Sequence, residues 1–280
     1  MRSGTLFIRF QQLLPAKTLG RISYRLSRSQ NRWLKNFLIW VFIRLYPVDV
    51  SEMDELTPFN YSSFNAFFTR SLKTAARTIT TNPSGIGCPA DGVVQQVGHI
   101  ADGQLLQAKG MSYRLVNLLG IDAADEFDGG AFMTIYLAPH NYHRVHAPLS
   151  GMVRRVNFIP GKRYAVNKTT AQALPGLFAK NERLACLCTG EPSPYWLIFV
   201  GAMNVCSIST AWSGEIEPGE SPQQWKFAED KAMTINKGDY FGHFNMGSTV
   251  IIIFPRETVT WDPHLLPGTG LLVGQEIGCL

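Results

Sequence analysis

The chain has 280 residues, 45% of them apolar, enough to bury one substantial core with or without an appendage. Its formal charge of +5 is unevenly placed. Nine of the 26 basic residues lie between Met1 and Arg44, where there is no Asp or Glu, which leaves 17 basic against all 21 acidic residues beyond. This basic end is too apolar for a nucleic-acid arm, and no nucleic-acid motif accompanies it.

The N-terminal arm comes first in chain order. Its start lacks an apolar run followed by a small-residue cleavage site, so no signal peptide is expected. "TLFIRFQQLLP" is a short amphipathic candidate. "NRWLKNFLIWVFIRLYP" holds the longest apolar run, Phe37 to Ile43, far short of the roughly 20 residues that span a bilayer. It predicts a helix of about four turns stopped by Pro47. Trp33, Trp40 and Tyr46 suit a lipid–water boundary, and each basic residue near an anionic leaflet adds about 1 kcal/mol. Two readings stand: an arm lying on a membrane surface, or a helical hairpin packed on its own domain.

Next, "YSSFNAFFTRSLKTAARTI" (61–79) places Phe64, Phe67 and Phe68 at helical spacing, which predicts core packing. From Pro89 onward, short β-branched or apolar runs recur between turns: "GVVQQV", "AFMTIYLAP", "GMVRRVNFIPG", "RLACLCTG", "YWLIFVGAMNVCSIST", "STVIIIFP" and "GLLVGQEIG". They predict a β-rich body. "PADGVVQQV" and "APLSGMVRRV" share a turn-then-strand pattern similar to small barrel-sandwich carrier domains, but no lysine sits at the hairpin tip, so a carrier role is not expected. Five cysteines (88, 186, 188, 206 and 279) are odd in number and form no C-x-x-C pair. Reduced thiols in a cytosolic setting are the expectation.

Two stretches point to chemistry. "PHNYHRVHAP" carries His140, His143 and His146. As metal ligands their i, i+3, i+6 spacing is poor: two prolines bracket the segment, an extended stretch sends positions three apart to opposite faces, and no carboxylate lies within ten residues. No metal site is expected. "GHFNMGST" (242–249) has P-loop spacing, but Ser248 stands where the lysine belongs and a strand-like run follows instead of a helix. The remaining reading makes Gly247–Ser248 a bond that reacts on itself. A serine hydroxyl can attack the preceding carbonyl if the backbone is bent, which glycine permits, and if a base such as histidine, ideally oriented by a carboxylate, takes the proton. Elimination from the ester then leaves dehydroalanine, which hydrolyses to a pyruvoyl group. Such a ketone forms a Schiff base with a substrate amine and accepts the electrons released as CO2 departs, a service no side chain supplies.

Taken together, these segments resemble the phosphatidylserine decarboxylase family over about residues 60 to 280. "FNAFFTRSLKTAARTI", "PADG" (89–92), "YHRVHAPLSG" and "GSTVIIIF" are similar to four of its motifs, in the family's order. The resemblance implies decarboxylation of phosphatidylserine to phosphatidylethanolamine, with Ser248 the self-cleaving serine and then the covalent pyruvoyl cofactor. It makes Asp91, His146 and Ser248 the cleavage triad and His143 the acid–base residue of decarboxylation. The cut between Gly247 and Ser248 would give a large chain (1–247) and a small one (248–280). A homodimer of the cleaved protomer is also implied, peripheral on the cytoplasmic face of a bacterial inner membrane. Three positions depart from the family: Met246 replaces its usual leucine, Ser71 a common proline, and His140 receives no role. Arg144 could hold the phosphodiester or pair with an acid of the fold. The expected architecture is α+β: a basic amphipathic helical region for membrane association (1–60), then a mainly antiparallel, barrel- or sandwich-like catalytic domain (61–280).

Overall fold

The computed structural model describes residues 8, 11, 16–108, 110–190, 193–202, 207–217, 219–228 and 231–280. The amphipathic candidate at 5–15 therefore lies outside the described residues apart from Ile8 and Gln11, and Cys206 lies outside them too. Helix α1 (Ala16–Ser27) and helix α2 (Arg32–Leu45) form the arm. Asn31 caps α2, its side-chain oxygen accepting from the Trp33 and Leu34 amides at 3.1 Å each. The helix stops at Tyr46, one residue before Pro47, where the missing N–H would break the ladder. Among the described residues no helix is long and apolar enough to cross a membrane.

Beyond the arm, the protein is built from antiparallel strands, numbered here along the chain. The main sheet runs, edge to edge, β12 (Gln223–Lys226), β7 (Gly151–Ile159), β8 (Arg183–Gly190), β9 (Pro194–Gly201), β15 (Ser248–Arg256), β5 (Gly130–Leu137), β2 (Gly92–His99) and β17 (Gly270–Leu271), with β13 (Met233–Ile235) also on β7. A second sheet has the order β11 (Gly214–Ile216), β10 (Ile208–Thr210), β14 (Tyr240–Phe244) and β6 (Arg144–His146). A third joins β1 (Gly85–Gly87), β18 (Glu276–Cys279) and β16 (Thr260–Trp261), and β3 (Gln104–Ala108) pairs with β4 (Met111–Arg114). Each apolar run read from the sequence contributes a strand to these sheets. The α+β class holds; of the two shapes foreseen for the body, no closed barrel forms among the described residues.

The run "STVIIIF" explains the centre of the main sheet. Residues 248–254 are all buried, so β15 needs cover on both faces and reads as unbroken apolar sequence rather than alternation. The second sheet packs on neighbouring β9 through Phe199, whose ring lies 5.9 Å from Phe241 and 5.2 Å from Phe244.

A smaller core forms between the arm and the body. Helix α3 (Phe64–Phe68), capped by the Ser63 hydroxyl, buries Phe64, Phe67 and Phe68 against Ile39 and Phe42 of α2, with Met53 and Met246 alongside. The Phe42 ring stands 5.3, 6.2 and 5.9 Å from the three phenylalanines in turn. The hairpin thus packs on its own body along one face. Its other face keeps Trp33, Phe37, Trp40 and Arg44 exposed, a stripe at i, i+4, i+7, i+11. Phe67→Ala should cost about 3–5 kcal/mol by the cavity it leaves, measured by urea unfolding, and should speed proteolysis within α2.

Candidate active site

Two strand pairings bring the chemistry-bearing segments together. β5 ends at Leu137, which pairs with Ser248 at the first position of β15. β6 pairs with β14, setting Tyr240 opposite His146. The bend 138–143 between β5 and β6 and the bend 245–247 between β14 and β15 therefore run side by side. The Phe244 amide donates to the His143 carbonyl at 3.3 Å across them, and the His146 amide donates to the Pro89 carbonyl at 2.8 Å, which adds the "PADG" turn.

Ser248 is 1% exposed, and among the described residues its hydroxyl has no hydrogen-bond partner. A buried, unpaired hydroxyl costs about 1–3 kcal/mol. Gly247 before it has φ +27°, and an added Cβ would meet nothing within 4 Å. That backbone conformation suits glycine, whose lack of a side chain also leaves the carbonyl unshielded. Asn245 anchors the bend: its amide nitrogen donates to the Ser207 and Ser209 hydroxyls at 2.8 and 3.1 Å, and its carbonyl accepts from Asn65 at 2.8 Å.

His146 faces the Gly238 carbonyl through Nδ1 at 2.8 Å and the Tyr142 hydroxyl through Nε2 at 3.0 Å. A carbonyl only accepts, so Nδ1 carries the proton and Nε2 is the basic nitrogen. Gly238 can present that carbonyl because its φ is +86°; an added Cβ would stand 2.9 Å from Ile79. Burial, foremost, holds the imidazole below its ordinary pKa, while the Asp91 charge opposes the shift. Asp91 reaches His146 through space: among the described residues its carboxylate bonds to Arg77, through Nε at 3.0 Å and through Nη2, and to the Val273 amide at 2.8 Å. Arg77 also clamps Glu52, two contacts of 2.8 Å. No hydrogen bond links Asp91 to His146, or His146 to Ser248, among the described residues.

His143 is fully buried and stacks on Phe68, ring centres 4.0 Å apart. Its Nε2 donates to the Pro139 carbonyl at 3.3 Å, which leaves Nδ1 as a lone pair with no partner among the described residues. Burial, then the nearby Arg70 charge, lower its pKa to about 3. His140 contributes only its carbonyl, which accepts from Arg70 at 3.1 Å. Among the described residues no three metal-ligating side chains converge, these histidines included. Arg144 donates from Nε to the Thr69 carbonyl at 2.9 Å and lies 5.3 Å over the Tyr240 ring, with no carboxylate partner among the described residues.

Sequence reasoning did not single out Arg70, Arg77, Glu52, Asn65 or Asn245. Arg70 and Arg77 carried a signal, being cations in a stretch read as buried, and a buried cation needs partners that sequence cannot name. Buried His143 and partly buried His146 hold protons less tightly in the folded chain than in the unfolded one, where the pKa is near 6.5. Their stabilising contribution is complete above about pH 6.5 and is lost as pH falls towards His143's value of about 3. Urea midpoints should therefore drop between pH 7 and pH 4, and His143→Gln should flatten that slope.

Comparison with known proteins completes the description. A family model described as phosphatidylserine decarboxylase matches residues 64–279, and a second, described as PSD, matches residues 6–47. Phosphatidylserine decarboxylase proenzyme from Azotobacter vinelandii is 44% identical over 280 residues, covering 98% of this chain and 97% of its own. The proenzyme from Nitrosococcus oceani is 41% identical over 275 residues, covering 97% and 90%. That from Marinobacter nauticus is 40% identical over 279 residues, covering 98% of each.

Proposed function

The chain belongs to the phosphatidylserine decarboxylase family, and we propose that it acts on phosphatidylserine through a pyruvoyl group made from its own Ser248. Its class is that of a decarboxylase. One observation carries the reading: a buried serine hydroxyl without a partner among the described residues follows a glycine of positive φ, on a bend that runs beside the one carrying His143 and leading to His146. The surroundings fit a group formed in place, since the hydroxyl is not committed to the fold and the glycine leaves room around the carbonyl. The pyruvoyl group would supply a ketone that takes up the substrate amine and receives the electron pair freed with CO2.

The chain's own residues prepare it. His146 Nε2, unprotonated, takes the Ser248 proton as the oxygen attacks the Gly247 carbonyl and returns it to the Ser248 nitrogen as the C–N bond breaks, so that an ester replaces the amide. Tyr142 occupies that nitrogen in the uncut chain, so its hydroxyl must swing aside or pass the proton on. Asp91 steadies the imidazolium by its charge. Elimination from the ester frees Gly247 as a carboxylate, and water then releases ammonia from residue 248, which becomes the new terminus of the small chain. In decarboxylation, His143 would deliver a proton to the carbon that has lost CO2, and its Nδ1 has no partner among the described residues.

The arm supports action at a membrane surface. Trp33 is 86% exposed and Leu45 70%, on a segment with nine basic residues and no acid. We place it on the cytoplasmic face of an inner membrane, held peripherally by anionic lipid; a homodimer of cleaved protomers rests on the family resemblance.

Ser248→Ala should run as one band on a denaturing gel and be inert, where the parent gives chains 1–247 and 248–280 with a blocked terminus on the small one by mass spectrometry. An active protein with an intact 247–248 bond ends the proposal. His143→Ala should still cut yet lose about 10²–10⁴-fold in kcat. Replacing Trp33, Phe37 and Trp40 by serine should lower partition onto phosphatidylserine-containing vesicles at least about tenfold by sedimentation.

A further inference from the structure

Arg70 stands out among the charged residues of the site. It is 3% exposed. One nitrogen, Nη2, donates to the carbonyls of His140 and Asn141 at 3.1 and 3.5 Å. Its Nε and Nη1 are buried and, among the described residues, have no partner. The nearby carboxylates do not serve it, since Asp91 and Glu52 are both held by Arg77. Burial accordingly pulls its proton affinity down, and the distant charges of Asp91 and Glu52 only partly compensate. A guanidinium keeps its charge and donates to anionic oxygens, and unpaired buried donors are costly to keep without a purpose.

We propose that Arg70 receives the phosphodiester of the lipid head group, its free Nη1 taking a non-bridging oxygen while Nη2 holds the 140–141 bend. The inference rests on the phosphatidylserine reading above. The substrate offers two anions, a phosphodiester and a carboxylate. Pairing the carboxylate with a guanidinium would stabilise the state that has to lose CO2 and slow the reaction, whereas the phosphodiester is remote from the bond that breaks. Binding energy is useful there.

The position suits that role. Arg70 lies over the Phe67 ring at 5.5 Å, in the phenylalanine cluster against which Met246 packs. Cutting after Gly247 would release the chain end that carries Met246, on the wall of this cluster. The Arg70 charge is also the second influence, after burial, that keeps His143 unprotonated.

Arg70→Gln and Arg70→Lys, each in the full chain, test this against phosphatidylserine and its methylphosphonate analogue, whose linkage is uncharged. Both variants are expected to cut into two chains. With Arg70→Gln, the preference for phosphatidylserine over the analogue, read as the ratio of their KM values, should fall roughly 10- to 100-fold; Arg70→Lys should keep a reduced preference. An unchanged preference in whichever variant cuts overturns the assignment, as does an equal loss on both substrates, which would mark a loop clamp alone. Failure of both to cut also overturns it, by placing Arg70 in folding or processing. A parent chain that stays whole and inert defeats instead the Ser248 reading beneath it.

Discussion

Everything at this site depends on the register of β15. From Ser248 to Ile253 the strand pairs on both sides, with Leu137 back to Phe132 on β5 and with Gly201 back to Trp196 on β9. Side chains alternate faces with period two, so a slip of one residue would turn Ser248 to the opposite face and misplace every apolar neighbour. The position of the Ser248 hydroxyl is therefore held by the packing of Val250 to Phe254. The same burial offsets the cost of leaving that hydroxyl unpaired.

Charge is organised around a different principle. Arg77 joins Glu52 and Asp91 in one cluster, so the "PADG" carboxylate is built into the body before it influences any histidine. Asp91 then acts on His146 as a fixed negative charge, while the tautomer is set by the Gly238 carbonyl. Orientation and electrostatics, which a single carboxylate often supplies together, are divided here between a backbone group and a side chain.

The arm and the site are one packed unit. Phe42 of α2 touches Phe68, and Phe68 stacks on His143. Two ring contacts thus separate the imidazole from the helix whose far face exposes Trp40 and Phe37. Met246, immediately before the Gly–Ser pair, packs in the same cluster. In the proposed reading, a helix lying on lipid through that far face would stand two ring contacts from His143.

Local pattern was legible without a structure. The apolar runs became strands, Pro47 ended the arm helix, and Phe64, Phe67 and Phe68 became one buried turn, because propensity, periodicity and chain breakers act over a few residues. Gly247 and Ser248 were singled out from residue type and spacing, whereas the roles proposed for Asp91, His143 and His146 came from the family resemblance. What the sequence could not express were contacts between distant residues: Arg77 on Asp91, Gly238 behind His146, Phe68 under His143, and Arg70 with two donors to spare. Those depend on which bends the antiparallel register sets side by side, and register is decided by the burial of whole strands rather than by any short stretch of them.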